Sequence, residues 1–211
     1  MILINHRCNE VSQLQSTPVQ FGVEIDVRNH GDALIVTHDP FVVDGPLLED
    51  WLVSYKHEFL IANVKEEGLE PQLTGLLQKH GINDYFILDE SFPFIRKYAL
   101  AGLSKFALRI SEFEDHRTAL KLAAHLRRCG KGVDWIWVDS FEGEVLDPSI
   151  AIELRAAGFK LCFVSPELHH LQDSAEWETL ILKFREKLGR PSMEASQPDM
   201  VCSKLLALWV K

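Results

Sequence analysis

Glu24 and Asp26 stand two residues apart inside an apolar run, residues 21–27 (FGVEIDV). In an extended chain that spacing turns both carboxylates to the same face. Two like charges side by side resist burial unless a cation neutralises them. Hard oxygen ligands suit Mg²⁺ or Ca²⁺, so a divalent cation is the expected cofactor. Asn63 and Lys65 repeat the spacing at the end of the run 59–64. Asn63 would add a carbonyl oxygen to the metal, and Lys65 a positive charge. His6 and His38 each close a short apolar run beside a charged residue, Arg7 and Asp39 respectively. Two imidazoles facing each other across a phosphate can act as base and acid near neutral pH. Arg7 and Lys65 would hold the phosphate oxygens. Assembled, these residues predict metal-assisted cleavage of a phosphodiester. His6 and His38 are the catalytic pair in that reading, and Glu24, Asp26 and Asn63 hold the metal.

Such residues act together only if the fold brings them to one place. Short β-rich runs occur at residues 2–5, 21–27, 33–37, 59–64, 85–88, 105–110, 135–138, 160–164 and 200–202. Several are apolar on both faces, as strands covered by helices on both sides would be. Helical patterns lie between them at 70–80, 92–101, 117–129, 148–157, 174–188 and 203–210, several stopped by a glycine. Residues 189–197 read as a loop. Alternating β and α implies parallel strands with right-handed crossovers. About eight units suggest one compact (β/α)8 TIM barrel over residues 1–211, with an open doubly wound sheet as the alternative. No Gly-x-Gly-x-x-Gly and no Walker-type loop supports a nucleotide fold. In a barrel, reactive residues project from the C-terminal strand ends. Asp89, Arg109, Asp139 with Ser140, Ser165 with Glu167, and Ser203 also stand there, but the first three units carry the densest chemistry.

Composition narrows the partners. The chain has 211 residues, 22 Lys plus Arg and 31 Asp plus Glu, for a net charge of −9. That balance argues against nucleic acid, which needs a basic face. No apolar run approaches the roughly 20 residues of a membrane span. The start, Met1-Ile2-Leu3-Ile4-Asn5-His6, has no basic region of a secretory signal, so the expected compartment is the cytoplasm. Cys8, Cys129, Cys162 and Cys202 are scattered, and Cys162 and Cys202 are expected to be buried free thiols. His30, His57, His80, His116, His125, His169 and His170 are expected on the surface or in loops, with His169 and His170 weakly placed near the barrel mouth. Trp135, Trp177 and Trp209 fit either core packing or an apolar patch between copies, which leaves the oligomeric state open.

Three segments resemble the signature of the glycerophosphodiester phosphodiesterases: Asn5-His6-Arg7, Gly22-Val23-Glu24-Ile25-Asp26-Val27 and Val36-Thr37-His38-Asp39. Asn63-Val64-Lys65 continues the likeness more weakly. The resemblance implies a TIM-barrel enzyme of the phosphatidylinositol-phospholipase-like superfamily, acting on a glycerophosphodiester-like or other small phosphodiester. By it, His6 and His38 correspond to the catalytic pair, Glu24 and Asp26 to metal ligands, and Arg7 and Lys65 to phosphate contacts. The family carries Glu where this chain has Asn63, which implies weaker metal binding, while the related sphingomyelinases D carry Asp there. Cys8 replaces the usual glycine after His-Arg. The family's small inserted subdomain is essentially absent, since only about 20 residues separate Asp39 from Phe59. The other reading is a non-catalytic barrel that binds phosphorylated ligands. Such a binder has no need for both histidines and both carboxylates.

Overall fold

A computed structural model describes residues 1–42, 44–169 and 174–210. Its strands and helices follow one another as β1 (Ile2–Asn5), α1 (Val11–Ser16), β2 (Gly22–His30), β3 (Ala33–Val36), α2 (Leu48–Val53), β4 (Leu60–Val64), α3 (Glu70–Lys79), β5 (Tyr85–Leu88), α4 (Phe92–Ala101), β6 (Ala107–Ile110), α5 (His116–Arg128), β7 (Trp135–Val138), α6 (Pro148–Ala156), β8 (Lys160–Val164), α7 (Trp177–Leu188) and β9 (Met200–Ser203). Eight strands pair in parallel in the order β5-β4-β2-β1-β9-β8-β7-β6. A bridge between Ile87 and Phe106 joins the two ends, so the sheet closes into a (β/α)8 barrel.

The run 33–37, counted with the parallel strands, departs from expectation. As β3 it pairs antiparallel with β2, outside the ring. The cause is local: Gly31 takes a positive φ of 61° in the two-residue turn between His30 and Ala33. That turn folds the chain straight back on itself. The return brings Thr37 to the height of Asp26, where the Thr37 N–H donates to the Asp26 carbonyl at 3.0 Å. His38 therefore arrives at the barrel mouth without a strand of its own in the ring.

Period-two alternation divides the core into two layers. Ile4, Ile61, Phe86, Trp135, Trp137, Cys162 and Met200 point into the barrel. Val23, Ile25, Leu60, Ala62, Ile136 and Leu161 point out to the helices. The interior is filled rather than open. The rings of Phe59, Phe86 and Trp135 meet pairwise at 5.5–5.6 Å and form a floor beneath the mouth. On β2 the inward positions are Gly22, Glu24 and Asp26. Gly22 leaves room for that floor, because a Cβ there would lie 2.3 Å from Ile4 Cδ1 and 2.7 Å from the Phe59 carbonyl oxygen. Gly22→Ala is expected to destabilise the protein by about 1–3 kcal/mol, the usual cost of overpacking. Thermal melting checks this, and an unchanged Tm would show that the floor can yield.

The remaining elements follow their sequence cues with four exceptions. Asp147 and Asp115 cap α6 and α5 by accepting the backbone N–H of Ser149 and Arg117. The helix expected over 203–210 reduces to a 3-10 turn at Leu206–Leu208, because Ser203 still belongs to β9 and Trp209 turns inward. The loop 189–197 contains 3-10 turns over Pro191–Ser196. The short helices α1 and α2 carry too few turns to show a period. His57 is buried, with Nε2 2.9 Å from the Thr17 carbonyl, not on the surface. Cys8, Cys162 and Cys202 are buried free thiols and Cys129 is exposed. Trp135 and Trp209 belong to the core. His170 lies outside the described residues. Among the described residues no helix is long and apolar enough to cross a membrane.

Candidate active site

Register places the chemistry of the first strands at one height. Asp26 on β2 lies opposite Asn63 on β4, and Glu24 opposite Ile61. His6 continues the inward face of β1 (Ile2, Ile4), and Lys65 that of β4 (Ile61, Asn63). Arg7 breaks the alternation with a positive φ of 56°. This turn lets successive N–H groups clasp Glu24: the Arg7 N–H donates to Glu24 Oε2 at 2.7 Å, and the Cys8 N–H to the Glu24 carbonyl at 2.7 Å.

Glu24 and Asp26 are each only 1% exposed, so every oxygen needs a partner. Asn63 Nδ2 donates to Glu24 Oε1 at 3.1 Å, and His6 Nε2 lies 3.8 Å from Glu24 Oε2. Lys65 Nζ lies 3.1 Å from Asp26 Oδ1, and Arg7 Nε 3.5 Å from Asp26 Oδ2. Asn9, absent from the sequence reading, meets Asp26 twice. Its Nδ2 donates to Asp26 Oδ2 at 2.9 Å, and its Oδ1 accepts the Asp26 N–H at 3.0 Å. Burial, then Asp26, pushes the Glu24 carboxyl up to about 7, against the Arg7 N–H, Lys65 and Asn63. Burial, reinforced by Arg7, pushes the His6 imidazole down to about 3, so it is neutral at physiological pH.

Six of the seven predicted site residues thus converge. His38 stands apart on the rim. It is 40% exposed in its side chain, with Nδ1 2.7 Å from Asp39 Oδ1. Arg28 fixes its backbone by donating Nε and Nη2 to the His38 carbonyl at 3.1 and 3.0 Å. The Asp39 bond leaves Nε2 as the ring nitrogen able to reach a ligand.

The donor set suits a hard divalent cation. Glu24 and Asp26 supply carboxylate oxygens, and Asn63 Oδ1 is buried without a hydrogen-bond partner, the condition of a neutral oxygen ligand. Among the described residues no three His, Cys, Asp or Glu side chains converge as a metal cluster. Beside Glu24 and Asp26, Asn63 offers an amide oxygen in place of a third carboxylate.

Charge continues around the mouth. Lys65 Nζ also lies 3.4 Å from Asp89 Oδ2, and Asp89 pairs with Arg109. Arg109 Nη1 reaches Asp139 Oδ2 at 3.3 Å, and Asp139 Oδ1 meets His169 Nε2 at 3.1 Å. Alternation alone would point Asp89 toward the helices, but its positive φ of 62° breaks the pattern. The sequence showed Asp89, Arg109 and Asp139 at strand ends. The closing partner, His169, comes from a 3-10 turn after β8.

Two further carboxyls are buried, Glu167, which the sequence placed with Ser165 at a strand end, and Glu70, which it did not single out. Glu167 is fully buried and accepts from Ser203 Oγ at 2.6 Å, from the Lys204 N–H at 3.0 Å and from Ser165 Oγ. It ties the end of β9 to the turn after β8. Glu70 is also fully buried, and the Glu90 carboxyl is pushed up to about 8 by burial and then by Glu70. The folded protein therefore keeps a proton that the unfolded chain releases near 4.5. Stability should fall as pH rises from about 4.5 to about 8, then level off. Glu90→Gln removes the titration, so its Tm relative to wild type should rise between pH 5 and 8. A difference that stays flat across that range would refute the raised Glu90 carboxyl.

No protein-family model matches the chain, and no curated protein matches it. Among solved structures, it is similar to a glycerophosphoryl diester phosphodiesterase from Parabacteroides distasonis ATCC 8503. The identity is 12%, the TM-score 0.63, and the match covers 96% of this chain and 82% of that one. At that identity the likeness is one of architecture, and the shared architecture is the (β/α)8 barrel with its mouth at the strands' C-terminal ends.

Proposed function

We propose that the chain is a metal-assisted phosphodiester hydrolase acting on a glycerophosphodiester-like or other small phosphodiester. The observation that carries this reading is the convergence of His6, Arg7, Glu24, Asp26, Asn63 and Lys65 on the mouth of β1, β2 and β4. Glu24, Asp26 and Asn63 would hold the cation, which when bound supplies charge stabilisation at the phosphoryl oxygens. Arg7 and Lys65 bind the phosphate and orient it against His6. One imidazole of the His6–His38 pair takes the proton of the attacking hydroxyl, from water or from the substrate itself. The other protonates the leaving alkoxide. Asp39 on Nδ1 aims Nε2 of His38 at that position. The floor of Phe59, Phe86 and Trp135 keeps water from entering below.

A second reading, a phosphate-ligand-binding barrel without turnover, draws on Asn63. Its amide, with Arg7 and Lys65, already compensates both carboxylates. Hydrolysis of bis(p-nitrophenyl) phosphate and of glycerophosphodiesters separates the two. The assay uses Mg²⁺, Mn²⁺, Ca²⁺ or EDTA, with wild type and the His6→Ala/His38→Ala variant. Metal-dependent turnover lost in the variant supports the hydrolase. Phosphodiester binding without turnover under any metal supports the binder.

A further inference from the structure

The four exposed phenylalanines among the described residues all lie at the same end of the barrel. Phe41 follows β3 beside His38 and Asp39. Phe92 opens α4 after β5, and Phe113 and Phe141 lie on the loops that follow β6 and β7. Phe41 is wholly in solvent with a positive φ of 64°, and Phe113 is 77% exposed. Phe113 and Phe141 touch, with ring centroids 5.8 Å apart. Solvent should penalise such tips, and isolated exposed aromatics usually scatter over a surface. Acids predominate around them. The cations Arg7, Lys65 and Arg109 are paired inside the mouth, while Asp39, Glu112, Glu114 and Glu142 are exposed among the phenylalanines, and Glu144 beside them pairs with Lys187 at 3.0 Å.

We infer that this rim docks on a lipid bilayer with a zwitterionic headgroup surface, and that the mouth works on a phosphodiester presented by that surface. The inference deepens the hydrolase reading and rests on it for the second clause. Aromatic tips on separate segments need no matched partner surface, because a fluid interface fills in around them. The order of charge fits the same occupant. The outermost charge of a zwitterionic headgroup is its ammonium, which meets the outer acids. The phosphate lies deeper, toward Arg7 and Lys65. An anionic bilayer would be repelled by the same acids and by the net charge of −9. A protein seated on these loops would cover the mouth, whereas a bilayer supplies it.

The test is flotation of the whole protein with vesicles, in EDTA and without substrate, so that binding is read apart from turnover. Wild type should float with pure dioleoylphosphatidylcholine vesicles and less with dioleoylphosphatidylserine vesicles. Phe41→Ser/Phe113→Ser should lower the partition coefficient by about tenfold or more, from the lost burial of two rings. The variant should keep wild-type turnover of bis(p-nitrophenyl) phosphate, which shows that it folds. Failure of wild type to float, flotation unchanged in the variant, or preference for phosphatidylserine overturns the docking. So does sedimentation showing that the two phenylalanines hold a dimer instead. Flotation without turnover leaves the docking standing and removes the hydrolase reading, and turnover without flotation does the reverse.

Discussion

Glu24→Gln should abolish turnover, by about 10³-fold or more, while leaving the fold in place. The expectation comes from what the carboxylate does and what its amide can still do. Gln keeps an oxygen to accept the Arg7 N–H, the bond that holds the left-handed turn after His6. Its new NH₂ faces Asn63, whose unpartnered Oδ1 can rotate to accept it. The flip takes the Asn63 NH₂ away from its acceptor, but a desolvated negative charge disappears, so the two effects offset and Tm should change little. The variant loses one of two anionic ligands for the cation and with it the charge balance of the site. Turnover and Tm are measured together. Retained turnover at saturating Mg²⁺ or Ca²⁺ would remove Glu24 from the metal site.

His6→Ala should lower kcat by about 10²-fold or more, the range of general acid–base catalysis, with KM changed far less. The imidazole contributes little to holding the structure. Its Nδ1 is buried without a partner, and Nε2 lies 3.8 Å from Glu24, beyond a hydrogen bond. Its loss should therefore cost little beyond a small cavity. Arg7 and Lys65 remain to bind phosphate, so affinity for a phosphodiester should survive. Steady-state kinetics check the split between kcat and KM. An unchanged kcat would take His6 out of the chemistry, and a rise confined to KM would recast it as a binding residue.

The barrel and the heart of the site were legible because they rest on short-range periodicity. Glu24 and Asp26, and Asn63 and Lys65, share a face through a two-residue repeat that any strand imposes. The apolar runs that hold them read as doubly covered strands for the same reason. Elements whose form is decided at a distance were not legible. The antiparallel course of β3 depends on one turn at Gly31 and on where Thr37 finds a carbonyl. Asn9 sits in the loop before α1, with no pattern around it to announce two bonds to Asp26. Glu70 and Glu90, and Asp139 and His169, stand about 20 and 30 positions apart, on segments that the pairing of β4 with β5 and of β7 with β8 brings together. His57 lies in a loop as expected, and its burial was not legible because the Thr17 carbonyl it meets stands 40 positions away.

The uneven distribution of the chemistry bears on how this chain can change over generations. Glu24 and Asp26 face the mouth only because β2 keeps its phase. Inserting or deleting a single residue between Gly22 and Glu24 would turn both carboxylates to the helices and bring Ile25 inward. Such a change is lethal to the site at once, and no neighbouring strand can repair it. The loops after β5, β6 and β7 carry no such constraint. They can lengthen, shorten or exchange side chains while Arg7, Lys65 and the carboxylates stay in place. New partners at the mouth can therefore arise by indels on one half of the ring, while the other half tolerates only substitution.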